Sequence, residues 1–108
     1  MMGHAYLGEF EQLVLLAVWR LGDDGYGMRI RQEIEDRLDR RVTIGAVYVT
    51  LERLALKGCV RTRTGDPTPQ RGGRAKRFYA ITPTGIAALE DAKRQLARMW
   101  QGLRRSTP

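Results

Sequence analysis

The sequence predicts a mainly α-helical domain carrying one small β-hairpin. Two observations lead there. Apolar residues recur at three- and four-residue intervals in four segments, and one stretch between residues 60 and 81 switches to β-favouring residues around a Gly- and Pro-containing loop. The order is helix, helix, helix, strand, strand, helix, and 108 residues leave room for one modest core.

Each element has a local cause. Leu7, Phe10, Leu13, Val14, Ala17, Val18 and Leu21 form the stripe of a first helix, stopped by Gly22-Asp23-Asp24-Gly25. Tyr26, Ile30, Ile34 and Leu38 line a second, and Arg40-Arg41-Val42 connects it to a third. Thr43 is the expected N-cap of that third helix, which ends near Lys57 with Gly58 as its C-terminal stop. Val60-Arg61-Thr62-Arg63-Thr64 and Lys76 to Ile81 are the two strands, joined by a loop from Gly65 to Arg74. Thr82-Pro83, a cap followed by proline at the first helical position, opens a last helix that is expected to reach about Leu103.

Charge is unevenly placed. The chain carries +7, and 16 of its 19 cations are Arg. Residues 1–42 sum to −2, residues 43–80 to +6 and residues 81–108 to +3. A basic block inside a domain with an acidic first third reads as a face for a polyanion. The longest wholly apolar run, Leu13 to Trp19, is seven residues, too short for a membrane span, and the N-terminus lacks a secretory signal, so the expected location is cytoplasmic. A single cysteine, Cys59, and a single histidine, His4, allow neither an internal disulfide nor a structural zinc site. No nucleophile with its base, metal set or phosphate-cradling loop suggests an enzyme, and no cofactor is expected.

The third helix and the hairpin carry the functional reading. Ile44, Val47, Tyr48, Leu51 and Leu54 share one face, assigned to the core, and the opposite face carries Ala46, Val49, Thr50, Arg53 and Lys57. Small side chains beside a few polar or basic ones suit a helix lying in the DNA major groove, and Val49 suits a thymine methyl. Thr43 and the hydroxyl of Tyr48 join this set at its margins. Gln70-Arg71-Gly72-Gly73-Arg74-Ala75-Lys76-Arg77 is rich in phosphate donors, with glycines that let the backbone approach closely. Beside a groove-reading helix such a loop is a wing, and Arg63, Arg71, Gly72, Gly73, Arg74 and Lys76 are its candidate contacts to backbone or minor groove. The alternative is an RNA-binding winged domain using the same RGGR loop. A winged domain that binds only protein fits the +6 block poorly.

In order along the chain, Leu7-Gly8-Glu9-Phe10-Glu11, Tyr26-Gly27, Ile44-Gly45-Ala46-Val47-Tyr48 with Leu51 and Arg53-Leu54, Gly58, Gly72-Gly73-Arg74, Arg77-Phe78-Tyr79 and Thr82-Pro83-Thr84-Gly85 resemble the PadR family of bacterial transcriptional regulators. The likeness covers about residues 7–103. It implies a winged helix-turn-helix, a homodimer, and repression of target promoters by a short-type member with one helix after the wing. Two departures stand out: Val49 follows Tyr48 where the family commonly has proline, and Cys59 replaces an aliphatic residue.

Leu89, Ala92, Leu96, Met99 and Leu103 recur at a/d spacing on the last helix, an apolar face longer than a small winged domain covers by itself. A second copy is the expected partner, with Leu7, Phe10 and Trp100 joining the interface and two reading helices presented to a palindromic operator. Residues 1–82 then form the DNA-binding part and residues 83–108 the dimerisation helix and tail of one structural domain. The resemblance further implies a small hydrophobic effector between paired last helices, with Leu96, Met99 and Trp100 as its candidate contacts.

Overall fold

A computed structural model of the chain describes residues 6–65 and 76–104. Its elements are α1 (Glu9–Leu21), a 3-10 turn (Gly22–Asp24), α2 (Gly27–Leu38), α3 (Ile44–Leu56), β1 (Val60–Thr64), β2 (Arg77–Ile81) and α4 (Pro83–Trp100). The mainly helical fold with one hairpin is the one expected, with element ends moved by one to three residues.

The caps explain most of the boundaries. Thr43 accepts a hydrogen bond from the Ala46 N–H at 3.1 Å, and Thr82 accepts one from the Gly85 N–H at 3.0 Å, with Pro83 at the first helical position. Gly58, at φ +76°, lets the chain leave α3 into β1 while the N–H of Cys59 closes on the Leu54 carbonyl. The last helix stops at Trp100 and not near Leu103: Gln101 leaves the helical region at ψ 132°, and Gly102 at φ +85° turns the chain away.

The three first helices pack on one another and on the hairpin around Val14, Leu15, Val18, Ile30, Val47, Leu51, Leu54 and Cys59, all fully buried. The strands are antiparallel, with Val60 opposite Ile81 and Arg63 opposite Phe78. A third chain segment extends this ribbon: the N–H of Tyr79 donates to the Gly25 carbonyl at 2.8 Å and Tyr26 bridges Phe78. The start of α4 is pressed against the turn after α3. Thr82 donates its hydroxyl to the Gly58 carbonyl at 2.6 Å, and a Cβ at Gly85 would overlap the carbonyl oxygen of Cys59. Only Gly85, Ala88 and Leu89 of α4 are buried, and every residue from Lys93 to Trp100 is exposed.

Candidate nucleic-acid interface

The outer face of α3 is set by which arc of the helix the core takes. Val47, Leu51 and Leu54 are buried, and at 100° per residue Thr50 lies about 65° from the centre of that arc, Tyr48 about 95°. The burial follows: Thr50 is 5% exposed, whereas Tyr48 is nearly half exposed. This corrects the expected reading face at one position, since Thr50 belongs to the core side. Counting Ile44 and Tyr48 in the apolar arc turns its centre roughly 30° away from Thr50. The exposed face runs through Gly45, Ala46, Val49, Glu52, Arg53 and Leu56, with Val49 at 51% and Leu56 at 89%. Thr43 is exposed but its hydroxyl already serves the helix cap. Among the described residues Arg53 makes no ion pair.

Lys57 is also placed otherwise than expected. Its ammonium donates to both carboxylate oxygens of Glu11 at 2.8 and 2.9 Å and to the Tyr6 carbonyl at 2.7 Å. Its charge is therefore matched within the fold, tying the end of α3 to the start of α1. Glu11 also accepts from the Gly8 N–H at 2.8 Å. Burial alone would raise its carboxyl, but the Lys57 and Gly8 hydrogen bonds and the nearby positive charges of Lys57 and Arg53 outweigh it and hold the pKa below the ordinary value. Sequence spacing could not show a pair 46 residues apart.

The Tyr48 ring leans on α2 at Gly27, where a Cβ would come within 2.5 Å of its outer ring atoms. Glycine at that position is what leaves room for the ring beside α2.

The hairpin adds four exposed cations, Arg61, Arg63, Lys76 and Arg77. Arg71, Gly72, Gly73 and Arg74, at the tip of the expected wing, lie outside the described residues. Tyr79 is buried and Phe78 half-buried, with the Arg63 guanidinium 4.4 Å from the Phe78 ring centroid. Burial raises the Tyr79 hydroxyl pKa, and its neighbour Arg77 opposes that rise. These two rings accordingly offer little face to an unstacked base. Among the described residues no cluster of His, Cys, Asp and Glu could hold a metal ion, and no helix is long and apolar enough to cross a membrane.

The profile of the transcriptional regulator PadR-like family matches residues 15–91. The chain belongs to this family. Solved structures share the fold. A PadR-like transcription factor from Bacteroides fragilis superposes with a TM-score of 0.69 at 18% identity, covering 83% of this chain and 82% of its own. A transcriptional regulator from Clostridium thermocellum gives 0.71 at 22% identity, covering 84% and 85%. Bacillus subtilis PadR, solved in complex with operator DNA, gives 0.63 at 22% identity, covering 92% of this chain and 50% of that one. No curated protein matches the sequence significantly.

Against this family background, α4 is the element whose expected residues divide most clearly. Leu7 and Leu89, two of the expected interface positions, are buried within their own chain, so the core takes most of their surface. Phe10 and Ala92 are half-buried, and Leu96, Met99, Trp100 and Leu103 are largely exposed. Leu16, Trp19, Leu89, Leu96 and Trp100 line an open apolar groove of about 510 Å³ between α1 and α4. Met99 turns to a separate hollow with Tyr6 and Gln12, so the three candidate effector contacts do not converge on one cavity within a single chain.

Proposed function

We propose that this protein is a homodimeric DNA-binding repressor, with α3 in the major groove and the hairpin on the backbone or minor groove. The observation that carries the reading is the exposed face of α3, where Ala46 and Val49 allow close approach and Arg53 is free for a base edge or phosphate, together with the four exposed cations of the hairpin. Bacillus subtilis PadR, which shares the fold, is solved in complex with operator DNA, and this supports a DNA-binding role for the chain. The masking of Thr50 and Lys57 narrows the direct readers to Ala46, Val49 and Arg53, with Tyr48 at the margin.

The dimer rests on α4. Exposed Leu96, Met99 and Trp100, together with Leu16 and Trp19 across the groove, form an apolar surface that a second copy would cover by two-fold symmetry. Two copies would place their α3 helices on half-sites about one helical turn apart, which matches a palindromic operator. The groove, once a second copy closes it, would take a small hydrophobic effector against Leu96 and Trp100. The protein acts in the cytoplasm, where its DNA lies.

Selection from a pool of randomised duplexes tests the reading. The expected product is an enriched inverted repeat, bound by a complex of two chains and not displaced by single-stranded RNA. Enrichment of no sequence, or stronger capture of the RNA, would overturn it.

A further inference from the structure

Three residues from separate segments form a row across the hairpin. Tyr26, just before α2, bridges β2 at Phe78, and Phe78 lies opposite Arg63 of β1, so the three share one face of the ribbon. The rings of Tyr26 and Phe78 meet edge to face, 5.5 Å apart with 73° between their planes. Each ring carries a cation. The Arg63 guanidinium lies 4.4 Å from the Phe78 centroid, and the Lys76 ammonium lies 4.2 Å from the Tyr26 centroid. Arg63 also donates to the Asp23 carbonyl at 3.3 Å, which leaves most of its five N–H donors unused by that bond.

A ring orients a cation without neutralising it. That separates Arg63 and Lys76 from Lys57, whose charge is consumed by the Glu11 carboxylate. Among the described residues neither wing cation has a carboxylate within ion-pair distance. Long cationic side chains normally lose rotamer freedom when they grip a phosphate, a loss equivalent to roughly two- to tenfold in affinity per side chain. Docking on a ring takes much of that loss before DNA arrives.

We propose that Tyr26 and Phe78 are positioning residues that hold Arg63 and Lys76 as a preformed grip for a DNA backbone phosphate at the root of the wing. The grip rests on the DNA-binding reading above. It acts on affinity and not on sequence choice, because a phosphate carries no base identity.

The test uses the full chain, a fluorescent duplex of the selected sequence and a scrambled duplex, at fixed salt. Phe78→Leu is expected to weaken binding to both duplexes by about two- to fivefold, while Phe78→Tyr, which keeps a ring face, binds like the parent. In an Arg63→Ala background Phe78→Leu should cost little further affinity. In the DNA-free protein the Arg63 Hε resonance should carry an upfield ring-current shift that Phe78→Leu removes and Phe78→Tyr retains. The Tyr26→Leu and Lys76→Ala pair repeats the cycle on the second ring, and stands in if Phe78→Leu does not fold. An equal loss with and without Arg63, or no loss, overturns the proposal while leaving DNA binding intact. A parent protein that binds no duplex at low salt overturns the DNA-binding reading and the grip with it.

Discussion

Replacing Glu11 by Gln removes one charge from the tie between α1 and α3 while keeping its shape. The carboxylate accepts two bonds from Lys57 and one from the Gly8 N–H, and its side chain is 11% exposed against 32% for Lys57. Breaking a fully buried ion pair costs about 3–5 kcal/mol. Here Lys57 keeps the Tyr6 carbonyl and part of its hydration, and Gln can still accept from Gly8, so the expected loss is about 1–2 kcal/mol near pH 7. In a domain of this size that is a fall in Tm of roughly 5–15 °C, read by thermal melts at one protein concentration so that assembly does not enter. The pH dependence has a definite sign. Because the folded carboxyl titrates below its unfolded value, the stabilisation is present above the unfolded pKa and is lost as pH falls through the folded one. The gap between parent and Glu11→Gln should therefore close on acidification. A variant as stable as the parent at pH 7, or a gap of the same size in acid, would refute the assignment.

Three further substitutions and one labelling experiment probe other contacts. Gly85→Ala should destabilise the protein despite the better helix propensity of Ala, because its Cβ meets the Cys59 backbone; a chemical-denaturation midpoint above the parent's would contradict this. Gly27→Ala meets only the flexible outer end of Tyr48, so stability should change by less than about 1 kcal/mol, while the displaced ring changes duplex affinity in an anisotropy titration. Trp100→Glu places a charge on the uncovered face of α4 and should split the proposed dimer, halving the mass measured by light scattering without lowering helix content. Cys59 is fully buried and burial raises its thiol pKa, so a thiol reagent should label it at least about 100-fold faster in denaturant than in buffer.

Much of the fold was legible because its signals are local. Thr43 and Thr82-Pro83 announce helix starts through bonds spanning three residues, and the β-favouring run from Val60 to Thr64 places a strand correctly. What escaped depends on partners distant in sequence. Helical spacing puts Lys57 on the outer face of α3, but Glu11, 46 residues away, takes its charge. Thr50 was misplaced because its helix face turns on how α3 sits against α1 and α2, which a wheel drawn from one helix does not contain. Leu7 and Leu89 fit an interface by periodicity alone, yet the core of the same chain takes them. The row of Tyr26, Phe78 and Arg63 joins three segments, and only the register of the hairpin brings it together.

The central claim is that α3 and the hairpin form a surface for duplex DNA. Its most direct test is the affinity for the selected inverted-repeat duplex, followed by fluorescence anisotropy from about 50 to 200 mM salt for the parent and for Arg53→Ala. The proposed dimer, gripping several phosphates, should lose on the order of 10³-fold in affinity over that range, and Arg53→Ala should narrow its preference for the selected over the scrambled duplex. Affinity indifferent to salt, or an Arg53→Ala protein that discriminates as well as the parent, would contradict the account.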